Sequence, residues 1–403
     1  MAAGLAKDTG LKEYLQGLYE GRVSREWYDR FREDLENADP WEVNHAIHTL
    51  LSGADDYPRL EQAVARFIRA AGKSLDKREA PEYPEDHPLA ILTEENRILQ
   101  DLRNEVAVAF KEYNALSPED SQDHPAKNRL TRGLKRLSLL RTHYNRLQYT
   151  LFPALEKCGG EFGCLKLMWH IQDGILGELK ETLKILEHPG PADGARINRL
   201  LGSFFLKSGS LIYREERILY PLAFRALGPA VLSRMAGELR ADAGSPKGGS
   251  DPGVAGSDGA AGTSPVGNTP DTIPLSRGEL NPGLIDLMLK NLPLDITLVD
   301  ETGRVRYYSE GKERIFPRSP GIIGREVENC HPPSSVGVVK KIVEELKSGR
   351  REKAEFWIQR EGRFIHIQYF PLFDHGVYRG IMEVSQDATA LRSRVGERRL
   401  LDD

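Results

Sequence analysis

Apolar positions in the first part of the chain follow a helical period. Leu11, Tyr14, Leu15 and Leu18 recur at that spacing, and Leu60, Val64, Phe67 and Ile68 repeat it. Residues 1–80 are therefore expected to form a helical domain. Prolines between Ala80 and Pro88 interrupt the pattern. Four long helical patterns follow, at roughly 88–115, 125–157, 162–187 and 194–225, separated by 117–125, by Gly159 and Gly160, and by 188–194. Long helices joined by short loops predict an up-down-up-down four-helix bundle over 81–240, with a short extra helix covering 229–240.

From 241 to 276 the chain turns to Gly, Ser, Ala, Pro and Asp, with almost no large apolar side chain. Such a stretch buries too little surface to offset its ordering entropy, so a flexible linker is expected. Beyond it, Asn281–Leu292 reads as a helix. Ile296–Val299 and Val305–Tyr308 then flank the turn Asp300–Gly303 as a hairpin. Ser334–Lys347 is an amphipathic helix, and alternating runs at Lys353–Gln359, Arg363–Phe370 and Tyr378–Val384 close the module. In the middle run Ile365, Ile367 and Tyr369 share one face, while His366 and Gln368 take the other. Trp357 reads as a core residue; facing outward, it would suit an interface. Two strands, a helical middle and three antiparallel strands are the order of a PAS domain. Residues 277–403 are thus expected to be an α+β sensor domain with a five-stranded antiparallel sheet and a C-terminal helix.

At 403 residues, two or three domains are expected. A net charge of -4 gives no general pull toward nucleic acid or an anionic membrane. No apolar run of about 18 residues occurs, and the N-terminus lacks the apolar core of a signal peptide. Three cysteines, Cys158, Cys164 and Cys330, cannot form a disulfide framework, so a cytoplasmic location is expected. Cys158 and Cys164 are too widely spaced for a CxxC motif; they read as structural thiols or as a redox or metal pair. His45 and His48 can share a helix face, as packing groups or as ligands.

Several stretches carry a family resemblance: Tyr308–Pro317, Glu328–Pro333, Glu355–Ile358 and Glu397–Leu401 in the C-terminal module. His87-Pro88, Thr150–Pro153, Met168-Trp169 and Glu215–Pro221 do the same in the bundle. The chain resembles bacterial and archaeal proteins that join a DUF438 helical region, a hemerythrin-like HHE bundle and a C-terminal PAS domain. That resemblance implies a homodimeric protein and a bundle whose His and carboxylate ligands project inward to hold iron. The family pattern places a His nine residues and a Glu five residues before a Phe-Pro or Tyr-Pro pair. Counting back from Pro153 gives Tyr144 and Gln148, and counting back from Pro221 gives Ile212 and Glu216. Only one of the four keeps its ligand type, so a standard di-iron centre is not expected. His143, one residue off that register and about 100° around the helix, is expected toward solvent.

Two readings of the bundle stay open. In one, a remodelled pocket holds a single metal or a haem through His87, Tyr144, His170, Asp173 and Glu216. In the other, the metal is lost and hydrogen-bonded polar groups fill the core. In the PAS module the segment 309–335 should wall any pocket, which puts Cys330 and His331 forward as cofactor-binding residues, with haem or iron as the cofactor. The bland alternative has His331 bracing the proline-rich turn. No dinucleotide fingerprint, P-loop, HExxH or GxSxG motif supports an enzyme. The function expected is a sensor or regulator that binds a small molecule and signals to a protein partner; a cofactor-free interaction scaffold is the alternative.

Overall fold

The computed structural model describes residues 10–79, 81–116, 124–159, 161–188, 190, 193–243, 272–311 and 314–396. Most of the expected linker and the end of the C-terminal tail lie outside these residues. The chain divides into two compact units, one built on Met1–Gly244 and the other on the C-terminal sheet.

The helical unit begins with helices Leu11–Glu20, Pro40–Leu51 and Tyr57–Asp76, with two short helices, Arg25–Arg30 and Arg32–Asn37, between the first two. Local chemistry sets their starts. The Asp39 carboxylate accepts from the Glu42 amide (2.8 Å) and Glu42 accepts from the Asp39 amide (3.1 Å), with Pro40 at the first helical position. Two His-Pro pairs act similarly, Nδ1 of His87 accepting from Leu89 N and Nδ1 of His124 from Ala126 N, each at 3.2 Å. These caps open helices Pro88–Asn114 and Pro125–Arg136.

The later helical patterns appear as long segments, but two of them change winding partway. Leu139–Arg146 runs into a π turn at Leu147–Leu151 before Phe152–Lys157. Asp193–Arg214 runs into a π turn at Glu215–Leu219 before Tyr220–Ala226. Pro153 and Pro221 follow the π turns by two residues. Proline has no N–H and its ring crowds the carbonyl four residues back, so one wider turn relieves both problems. Helix Cys164–Glu187 lies between them in sequence, and Pro229–Ala243 follows. One hydrophobic core runs from Leu11 to Leu239, shared by the N-terminal helices and the longer ones. His48 Nδ1 accepts from Gly163 N at 3.0 Å, and His45 meets the Glu161 carboxylate. Both side chains hold the turn ahead of Cys164 in place.

In the second unit a short hairpin, β1 (Ile273–Pro274) and β2 (Glu279–Leu280), precedes helix Pro282–Asn291. The main sheet comprises β3 (Asp295–Asp300), β4 (Val305–Tyr308), β5 (Ala354–Arg360), β6 (Arg363–Asp374) and β7 (Val377–Asp387), antiparallel in the order β4-β3-β7-β6-β5. Helix Pro333–Lys347 fills the sequence between β4 and β5. The central β3–β7 pairing depends on Gly380, at φ +141°, where a Cβ would collide with the Val299 carbonyl oxygen. Ile365 and Ile367 are buried on one face, while His366 (2.6 Å) and Gln368 (3.4 Å) bond to Glu355 on the other. The alternation read from the sequence holds here. Trp357 does not follow expectation: it is 63% exposed on edge strand β5, paired with His366 on the outer face. The inner positions of β5 beside it are Phe356 and Ile358, so the pleat sends Trp357 outward.

Candidate functional site

The inner face of the sheet is polar at its centre. Register aligns Thr297, Glu383 and Tyr369 across β3, β7 and β6, and Asp295, Ser385 and Ile367 in the next row. Asp295, Thr297 and Ser385 are buried. Asp295 accepts from the Ile315 amide at 2.7 Å, and this ties the segment after β4 to the sheet. Burial raises the Asp295 carboxyl above its usual range, against the opposing pull of Arg314, whose Nε lies 3.9 Å away. Arg314 also sits over the Tyr308 ring at 5.3 Å.

Arg318, with 6% of its side chain exposed, places a second guanidinium in this interior, 3.9 Å from Glu383. Tyr369 and His331 complete the group. Burial raises the Tyr369 phenol far beyond its ordinary value, with Glu383 adding to the effect. Burial lowers His331, Glu383 opposes that shift and Arg318 reinforces it. His331 is thereby kept neutral at neutral pH.

Cys330 and His331, expected to act together, part company. Cys330 joins an apolar cluster with Val299, Val305 and Ile322, its Sγ 3.6 Å from the Glu326 carbonyl oxygen. His331 turns to the polar interior. A haem needs broad apolar faces on both sides of its ring, whereas His331 is set among Glu383, Arg318 and Tyr369. That lining does not fit a haem.

The candidates in the helical unit scatter. His87 caps its helix and stacks on Tyr83 with ring centroids 5.4 Å apart. His170 packs on Tyr57 at 4.7 Å, and burial lowers its pKa. Burial raises Asp173 to about 6, against Arg141 and a hydrogen bond from Trp169. Glu216 is half-buried and shifted upward by burial and then by Glu215. Tyr144 is buried beside Glu215 and Arg103, and its phenol is raised well above its usual value, first by burial. Among the described residues, no three His, Cys, Asp or Glu side chains form a group able to hold a metal ion.

What the helical core does bring together is His143. It is 2% exposed, not turned to solvent, with Nδ1 2.8 Å from Glu95 and Nε2 3.0 Å from Glu215. Glu95 is paired in turn with Arg146. Each ring edge is occupied by a different carboxylate, so the imidazole serves as a bridge. The expectation failed because counting in steps of 100° assumes unbroken α winding. Crossing a π turn, which closes one residue later, advances the phase by about one position. The same slip makes Glu215, not Glu216, the fully buried carboxylate of the fourth helix. Arg314, Arg318, Glu383 and Asp295 were missed on the sequence for another reason: they come from the segment after β4 and from strands β7 and β3, and only the fold brings them together.

Residues 285–389 match the family described as PAS domain. A solved C-terminal domain from Streptococcus mutans is 34% identical, over 30% of this chain and 96% of that one, with a TM-score of 0.29. The PAS domain of a protein from Colwellia psychrerythraea is 16% identical, over 27% of this chain and 97% of that one, with a TM-score of 0.23. No curated protein matches the chain. Residues 285–389 are thus a PAS domain, a class of module that points to signal sensing or regulation. No helix among the described residues is long and apolar enough to cross a membrane.

Proposed function

We propose that this protein is a non-enzymatic sensor whose PAS domain binds a small polar ligand carrying a carboxylate and a hydrogen-bond donor. One observation supports the reading above the others: Arg318 and Glu383 lie 3.9 Å apart inside the sheet's inner face, beside Tyr369 and His331. That interior sets charge of both signs beside the apolar cluster of Ile315, Ile365 and Ile367. A guanidinium recognises a carboxylate through paired N–H donors, and Glu383 accepts from an ammonium or hydroxyl. The helical unit is then a hemerythrin-like bundle, joined to its DUF438 region, that has lost its iron and keeps a hydrogen-bonded polar core. His143 with its two carboxylates favours that view.

The test is calorimetric titration of the full chain with amino acids and short hydroxy- and dicarboxylic acids. One compound is expected to bind, and Arg318→Ala should weaken it roughly tenfold or more. Absence of binding across the panel would refute this reading. A second reading, an interaction scaffold, draws on Trp357, whose exposed indole on an edge strand suits contact with another copy of the chain. Sedimentation that detects a dimer dissociated by Trp357→Ser, with no compound bound, would favour it.

A further inference from the structure

Away from the PAS domain, the helical unit contains a cleft of about 630 Å³ between helices Tyr57–Asp76 and Asp193–Arg214, closed at one point by Ile171. That volume is within the range of small-molecule sites. Its walls are of two kinds. Ile68, Ile171, Phe205 and Leu206 give an apolar side, with Leu206 exposed. The lining also carries four cationic side chains, Arg69, Lys73, Lys207 and Arg214, against two carboxylates, Glu61 and Asp76.

Arg214 separates this cleft from an ordinary groove. It is 5% exposed, yet among the described residues it makes no hydrogen bond and no ion pair, and its Nε is buried without a partner. The nearby carboxylates are engaged elsewhere. Glu61 sits 3.8 Å from Lys207, and Asp76 accepts from the Tyr213 hydroxyl at 3.1 Å and meets Arg217 at 3.7 Å. A buried, unpaired charge is costly, and proteins tolerate it where a ligand of opposite charge offsets the loss of water. Burial accordingly pulls Arg214 down to about 10, against the opposing influence of Glu61 and Cys164.

We infer that this cleft is a second ligand site, taking a small organic anion whose carboxylate or phosphate head meets Arg214 while an aliphatic body lies on Ile68, Phe205 and Leu206.

The full chain is titrated with octanoate and with hexyl phosphate, each followed by thermal shift and calorimetry, and with 1-octanol as the uncharged counterpart. Either anion should raise the melting temperature, and octanol should not. Arg214→Met keeps the stem and removes the charge, and should weaken anion binding about ten- to a hundredfold. Without ligand, the same variant should melt no lower than the parent, whereas a guanidinium serving only as a structural prop would make it melt lower. Ala65→Phe fills the cleft while leaving Arg214 in place, and should abolish binding on its own. If neither anion binds the parent chain, or if Arg214→Met binds as tightly as the parent, the inference is overturned.

Discussion

Replacing His143 by Leu tests the buried bridge directly. The imidazole is 2% exposed and touches Glu95 at 2.8 Å and Glu215 at 3.0 Å. Leucine has similar bulk, so the packing change is small and what is lost is the two hydrogen bonds of the ring. Glu95 still has Arg146, but Glu215 is left fully buried, with Oε1 already lacking a partner and only the Tyr220 hydroxyl at 3.4 Å. Leaving a buried carboxylate without its hydrogen-bond donor costs about 1–3 kcal/mol. At roughly 2–4 °C per kcal/mol for a unit of this size, the melting temperature should fall by about 5 °C. Far-ultraviolet circular dichroism follows this transition, because the unit is mostly helical. The second arm adds Glu215→Gln to the His143→Leu variant, removing the stranded charge and keeping a partner for Tyr220. About half or more of the loss should return. A single variant within about 0.5 kcal/mol of the parent, or a double variant no better than the single, would refute the account of the bridge.

Three further outcomes follow from the structure. Gly380→Ala forces a Cβ against the Val299 carbonyl at a φ that side chains rarely adopt, and should cost the PAS domain about 2–4 kcal/mol, seen as faster hydrogen exchange in β3 and β7. Asp173, raised to about 6 from 3.8, is protonated in the folded chain before the unfolded one as pH falls; its contribution is complete below about pH 4 and lost as pH rises through about 6. Asp173→Asn should therefore flatten the decline in helical-unit stability between those values, measured by urea melts at each pH. Cys330→Ser places a hydroxyl in the cluster of Val299, Val305 and Ile322 and should lower PAS stability by about 1–3 kcal/mol, read from a denaturant melt of the full chain.

Much of the architecture was open to reading because helices and strands advertise themselves locally. Helical spacing and prolines located Leu11–Glu20, Tyr57–Asp76, Pro88–Asn114 and Cys164–Glu187, and the hairpin around Asp300–Gly303 announced β3 and β4. Alternation in β6 assigned Ile365 and Ile367 to the interior, since a pleat fixes side-chain direction wherever one face is buried. Site residues were less legible. The His143 bridge depends on a π turn that no residue count in a straight helix anticipates, although Pro153 and Pro221 are its visible cause.

The order of elements, the helix starts and the hairpin of β3 and β4 were thus written in short stretches of this chain, because they depend on neighbours within a few residues. Only the tertiary structure could show that Arg318 and Glu383, 65 positions apart by number, face one another, or that Arg214 ends in a cleft without a partner. Such meetings depend on strand register and on the phase of packed helices, and a charge becomes costly or useful only once the fold has removed its water.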